Sequence, residues 1–315
     1  MGYDSTNFVP ISTSKKHIID FIKLLGYVGR GQNYYYFKQE DYKYLYGVGL
    51  NIHQDNDKWL IHTRTPIYCS DYDLAFQNYT IRQIRQRFGG SFMTDEGTNI
   101  YFSEDEKKLS GAESGCYFAY FRLHNLFSYI HGLLMDYTED ENRQRGFDLF
   151  GTPSSTTLLA NITTTYISSI IENYFRELYV ALLTYSDKKE SIFKTARIDS
   201  SDLLDVSAQK ITFEEAVALS FSFQNIHKVN NTFQTLDKNI KIHATLSKPY
   251  RRRKETLFAT LDRILEHRHA LIHRLSIDIH YSKEDIKKDI NSVDTALERV
   301  YQHLCEVYNW NDMSQ

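Results

Sequence analysis

The sequence predicts two domains, a small α+β domain over residues 1–110 and an all-α helical bundle over residues 152–312, joined by a helical segment over residues 111–151. Three observations predict this. The chain has 315 residues, enough for two ordinary cores. It carries only 4 prolines and 14 glycines, a scarcity that favours helices. Its patterning also changes near residues 105–112, from mixed short apolar runs to nearly continuous helical periodicity.

In the first part, Ser14 to Leu25 reads as an amphipathic helix with Ile18, Ile19, Phe21, Ile22, Leu24 and Leu25 on its apolar face. Gly26, Gly29 and Gly31 punctuate the chain after it. Tyr34 to Phe37, Tyr44 to Asn51 and Lys58 to Thr63 read as strands, with Asn56-Asp57 as a hairpin turn between the last two. Leu74 to Phe88 is a second helix, stopped by Gly89-Gly90. Ser91 to Met93 and Thr98 to Phe102 form another hairpin, turned at Asp95-Glu96-Gly97.

In the second part, Cys116 to Met135 is an aromatic-rich helix, and the polar stretch Asp136 to Arg145 is a loop. Thr152-Pro-Ser-Ser-Thr156 supplies capping hydroxyls for a helix running to about Tyr185, whose wide apolar stripe implies burial on more than one face. A charged connector spans Ser186 to Gln209, Thr212 opens a further helix, and helical pattern resumes over Val229 to Leu236. Lys248-Pro249 breaks the chain before a long helix from about Tyr250 to Leu275. Ser282 caps the last helix, which runs to about Tyr308. Four or five helices over this length predict an up-down bundle.

Composition narrows the function. The net charge of -3 excludes a uniformly basic nucleic-acid coat, so any RNA contact must come from a local basic surface. The 24 tyrosines serve half-buried cores and base-stacking surfaces alike. Cys69, Cys116 and Cys305 form no CxxC pair, against a disulfide framework or a cysteine zinc site. Nothing in the chain reads as a signal peptide or a membrane span, which predicts a cytoplasmic protein with no membrane partner.

The stretch Glu266-His-Arg-His-Ala-Leu-Ile-His-Arg274 carries the chemistry. On a helix, His269 and His273 share a face. Arg268 lies five residues before His273, about 140° round the axis, within reach of a long side chain or of a second copy of the helix across a two-fold axis. RNA brings its own nucleophile, the 2′-hydroxyl. A neutral imidazole accepts that proton near pH 7, and a guanidinium holds charge building on phosphate oxygens. Histidines at i, i+4 also bind zinc, but no acidic or cysteine ligand completes a set with His267, His269 and His273. No metal and no cofactor is therefore expected.

The hexapeptide Arg268-His-Ala-Leu-Ile-His273 resembles the signature of HEPN-superfamily ribonucleases (the RiboL-PSP and MAE groups), an Arg, a polar residue, three variable residues and a His. The earlier stretch Tyr166-Ile-Ser-Ser-Ile-Ile-Glu-Asn-Tyr-Phe-Arg-Glu-Leu178 is similar to the family's opening helix. The resemblance covers about half the chain, Thr152 to Tyr308. It implies a helical bundle that homodimerises so that two motifs share one cleft, and metal-independent cleavage of RNA to a 2′,3′-cyclic phosphate and a 5′-hydroxyl. It implies His273 as base, Arg268 as transition-state stabiliser and His269 as positioning residue, in a prokaryotic defence, toxin–antitoxin or RNA-processing setting with an antitoxin or defence protein as a further partner. Glu172 is expected to support Arg268 across the bundle. Arg251, Arg252, Arg253 and Lys254 are expected at the start of the motif helix, gripping phosphates beside the cut. Positive charge there opposes the helix dipole, so stability does not explain it. Members that do not cleave RNA leave a dimerisation or interaction module, or a plain RNA-binding protein, as the alternative. The N-terminal domain carries Arg82, Arg85 and Arg87 beside Gly89-Gly90, with no recognised nucleotide-binding pattern.

Overall fold

A computed structural model of the chain describes residues 2–38, 43–67, 69–104, 109–136, 155–251 and 253–314. It divides into two compact units, Met1–Ser114 and Gly115–Gln315.

The first unit is an antiparallel sheet with helices on one face. The strands are β1 (Gly2–Pro10), β2 (Val28–Arg30), β3 (Asn33–Tyr36), β4 (Val48–Asp55), β5 (Lys58–Pro66), β6 (Ser91–Thr94) and β7 (Gly97–Thr98), in spatial order β2-β3-β4-β5-β1-β6-β7. The helices are α1 (Lys15–Leu24), capped by the Ser14 hydroxyl, and α2 (Asp71–Phe88). Strand alternation sends Val9, Val48, Leu50, Ile52, Trp59 and Ile61 to one side, where they pack with Ile18 and Ile22 of α1 and Ile84 of α2. The Asn56-Asp57 turn joins β4 to β5 as expected, with Asn56 in the left-handed region at φ 47°.

The interior strand β1 is one that hydrophobic alternation does not reveal. Its inward positions include Ser5 and Asn7, both buried. Their partners are polar as well. Ser5 Oγ lies 2.6 Å from Thr63 Oγ1, and Asn7 Nδ2 donates to the Ile81 carbonyl at 3.2 Å. Gln77 Nε2 donates to the carbonyls of Tyr3 and Thr63. Here the sheet meets α2 through a polar layer in which most groups are paired, as burial requires, the Asn7 amide donating while its Oδ1 stays without a partner. The expected strand to Phe102 is short, since pairing ends at Thr98.

Asp73 fastens this unit. It sits at the third position of α2, where its carboxylate accepts the Ser70 N–H in a capping box and also the N–H groups of Leu45, Tyr46 and Gly47, at 2.8–3.1 Å. Four donors meet one fully buried carboxylate.

The second unit is helical: α3 (Gly111–Asp136, nearly all in this unit), α4 (Ser155–Thr184), α5 (Lys189–Thr195), α6 (Ser200–Ser207), α7 (Phe213–Leu219), α8 (Ile226–Leu236), α9 (Ile242–Leu246), α10 (Leu257–Arg274) and α11 (Lys283–Tyr308). The connector expected over Ser186 to Gln209 thus holds two short helices. Capping boxes at Thr212 and Ser282 open α7 and α11. The segment expected as a linker packs into the bundle. Tyr120 stacks on Tyr301 at 5.2 Å, Arg122 pairs with Glu177, and His124 lies 2.7 Å from Asp294. Residues 137–145 of the expected loop, residues 152–154 of the expected helix start, and Arg252 lie outside the described residues. Among the described residues no helix is long and apolar enough to cross a membrane.

Replacing Asp73 with Ala strands several buried donors at once, each costing on the order of 1–3 kcal/mol. The expected outcome is a loss of about 3 kcal/mol or more in urea unfolding, with Asp73→Asn milder because one acceptor oxygen remains. A stability change under about 1 kcal/mol in Asp73→Ala would contradict this account.

Candidate functional site

The site is built on α10. Thr256 starts this helix by accepting the Ala259 N–H at 3.2 Å. Leu257, Phe258, Leu261, Ile264 and Leu265 form its buried stripe. The stripe then stops. No side chain from Glu266 to Arg274 is fully buried: His267, Arg268, Ala270 and Leu271 are half-buried and the other five exposed, over about two and a half turns. Leu275 ends the helix in the left-handed conformation, φ 49°, its N–H reaching the Ala270 carbonyl. The motif lies on this projecting end.

Two arginines of α10 have different fates. Arg263 is fully engaged. Its two terminal nitrogens donate to the two oxygens of buried Asp289 at 2.9 and 2.6 Å, and its Nε donates to Glu255 at 3.1 Å. Asp289 also accepts the Tyr281 hydroxyl at 2.6 Å, and burial beside that carboxylate raises the Tyr281 phenol well above its usual range. Arg268 instead donates to a neutral amide, Gln224 Oε1 at 3.3 Å, and no ion pair to it is formed by any described residue. Its charge remains available to an anion.

His269 and His273 are exposed and adjacent, ring centroids 4.5 Å apart. Arg268, His269 and His273 are thus gathered on one open helix end. His267 turns the other way. Its ring meets Tyr281 edge-on at 4.8 Å and its Nε2 lies 3.1 Å from Asn161 Oδ1, an arrangement that requires the proton on Nε2. Asn161, buried within the apolar stripe of α4, also accepts the Asp278 N–H and donates to the Asp278 carbonyl, tying down the loop after α10. Among the described residues no group of three His, Cys, Asp or Glu is placed to hold a metal ion.

The structure does not bring Glu172 to Arg268. Asn161 of α4 meets His267, and Ser168 of α4 meets the Ile264 carbonyl, so the two helices run antiparallel. Continuing that register puts Glu172 level with about residue 260, on the order of 12 Å along the axis from Arg268. Glu172 pairs with Arg176 at 2.7 Å, on the wall of a cleft of about 410 Å³ that also includes Tyr166, Ser169 and Asn173.

The basic run is also displaced from its expected position. α10 begins at Leu257, so Arg251, Arg253 and Lys254 lie in the preceding loop rather than at a helix N-terminus, and the dipole argument does not apply to them. Stability does account for part of the run. Arg251, Arg253 and Arg299 lie 5.2–5.4 Å from the centre of the Tyr250 ring, and Arg253 donates to Ser292 Oγ at 2.7 Å. The run sits at the far end of α10, about 24 Å from His273 at 1.5 Å per residue.

Exposed apolar side chains lie in and after the motif and on α4. Ile272 within the motif and Leu275, Ile277 and Ile279 just after it are exposed, and Leu158, Ile162 and Tyr166 form an exposed i, i+4, i+8 stripe on α4. Sequence reasoning missed Gln224 and Asn161. Gln224 left no signal, lying in a turn far upstream, whereas Asn161 did, as an amide inside an apolar stripe. No protein-family model, curated protein or solved structure matches this chain.

Burial lowers the His267 pKa below its ordinary value, with Asp278 opposing, and burial shifts His303 the same way. A folded pKa below the unfolded one means the unfolded chain binds more protons. The stability these rings contribute is therefore present above the unfolded value of about 6.5 and is lost as pH falls below it. Urea midpoints are expected to drop between pH 7 and pH 5.5, and His267→Gln, which keeps a donor for Asn161, is expected to flatten part of that drop. An identical slope in the variant would remove His267 from this role.

Proposed function

We propose that this protein is a metal-independent RNA endonuclease of the HEPN kind, acting as a homodimer. The observation that carries the reading is the uncompensated Arg268 beside two exposed imidazoles on a helix end that the core does not claim. His273 takes the proton of a ribose 2′-hydroxyl. The 2′-oxygen then bonds to phosphorus as the bond to the 5′-oxygen breaks, and the departing 5′-oxygen takes a proton from the imidazole of the second copy, leaving a 2′,3′-cyclic phosphate and a 5′-hydroxyl. Arg268 holds the phosphoryl oxygens as their charge builds, and His269 positions the phosphate. No cofactor enters this scheme. Arg251, Arg253 and Lys254 hold RNA phosphates well away from the cut, at the other end of α10. The setting this suggests is prokaryotic defence or toxin–antitoxin control, with an antitoxin or defence partner silencing or triggering the enzyme.

The exposed apolar side chains around the motif favour a second reading, a dimerisation or partner-binding module without cleavage. Incubation with total RNA in EDTA separates the two. Cleavage leaving cyclic phosphates is expected, reduced at least about 100-fold by Arg268→Ala or His273→Ala, with helical content unchanged because neither side chain is buried. Cleavage that survives both substitutions, or that EDTA abolishes, would overturn the nuclease assignment. Intact RNA with a stable dimer would favour the interaction module.

A further inference from the structure

The first unit has an open sheet face opposite its core. Strand pairing aligns its outward residues in rows. One row runs Met93, Thr6, His62, Asn51, Asn33, Arg30, and the next runs Asp4, Arg64, Gly49, Tyr35, Val28. Two neighbouring pairs of the first row are joined side chain to side chain. Thr6 meets His62 at 3.2 Å and Asn51 Nδ2 donates to Asn33 Oδ1 at 2.6 Å. Asp4, the one carboxylate of these rows, lies between His62 and Arg64 and orients both.

Gly49 interrupts the second row. It has no side chain where its neighbours have long ones, and a Cβ built there would meet only the Arg64 carbonyl, at an ordinary 3.6 Å. Neither a close approach nor its backbone conformation explains a glycine here. Its absence of side chain leaves a trough with Tyr35 on one bank and Arg64 on the other, two strand spacings or about 10 Å apart. Asn51 continues the floor. The Tyr35 ring is held in place, since its hydroxyl donates to the Tyr46 carbonyl, yet it remains 49% exposed and stacks loosely with exposed Phe37. Arg64 and Arg30 are exposed.

We propose that this trough binds single-stranded RNA, one base lying on Tyr35 with its edge toward Asn51 and its phosphate on Arg64. A held aromatic ring accepts the face of an unpaired base, and the amides of Asn51 and Asn33 offer further donors and acceptors to its edge. A duplex keeps its bases stacked inside and cannot lay one on the ring. The choice of RNA over DNA rests on the nuclease reading. The site itself does not, and it gives the first unit a role in holding the strand.

The test uses the full chain and a dye-labelled 12-nucleotide RNA with 2′-O-methyl riboses. That RNA lacks the nucleophile and stays intact whatever the chain's activity, so failure of this site and failure of the nuclease reading show separately. Fluorescence anisotropy is expected to show the single strand bound at least tenfold tighter than its duplex. Gly49→Leu fills the trough without straining the strand and is expected to weaken binding about tenfold or more, as is Tyr35→Ala. Arg64→Gln is expected to lower the slope of log affinity against log salt by about one. Photocrosslinks are expected on β3 to β5. Equal binding of the duplex, full affinity in Gly49→Leu with an unchanged melting temperature, or crosslinks confined to residues 248–274 would each overturn the proposal.

Discussion

The buried carboxylate of Asp289 sets the geometry of the second unit. A carboxylate taken out of water is tolerated only when its oxygens are satisfied, and here two guanidinium nitrogens and a phenol do so. The three donors come from α10 and from the loop after it, while Asp289 belongs to α11. Their union fixes how α10 is rotated about its own axis. With Arg263 directed at Asp289, residues five, six and ten further on point about 140° to one side and about 120° and 80° to the other. Those residues are Arg268, His269 and His273, so the pair that locks the helix also turns the candidate site outward. Asn161 does the same for the loop by holding both backbone groups of Asp278.

Much of this unit could be read from the sequence because helix ends announce themselves locally. Thr212 and Ser282 each carry an acidic residue three positions on, and both open helices through capping boxes. The start of α10 was misplaced for the same kind of reason. Arg251 to Lys254 are good helix formers, and Lys248-Pro249 suggested the break. The actual start is at Thr256, because Tyr250 is drawn to Thr295 and Arg253 to Ser292 on α11. Contacts of that range leave no trace in local periodicity. The partners of Arg268 and Glu172 were illegible for the same reason, since which arginine meets which acceptor depends on helix register.

In the first unit the failure was of a different kind. β1 pairs on both sides and lies inside the sheet, yet its inward residues are partly polar. Alternation of hydrophobicity detects a strand only when its partner surface is apolar. Against Gln77 and Thr63 the favourable choice is Ser or Asn, and the pattern vanishes. The same alternation, read on the outward side, places Gly49 between Tyr35 and Arg64. That neighbourhood needs the register of three strands and has no counterpart in the linear sequence.

An exposed site has an electrostatic cost that its surroundings must offset. The two histidines are exposed and Arg268 only half-buried, and beside water a guanidinium attracts a phosphate weakly; the attraction grows several-fold only when water is excluded. One α10 offers no wall to exclude it. Under the proposed nuclease reading, a single His273 would serve one proton transfer, while strand scission needs two, one from the 2′-hydroxyl and one to the departing 5′-oxygen. Both shortfalls point to a second surface closing over the helix end. The apolar side chains of Ile272, Leu275 and Ile279 beside the motif are suited to hold such a surface. If that surface is another copy of the chain, it brings the second imidazole with it, and covering the site and completing its chemistry become one event.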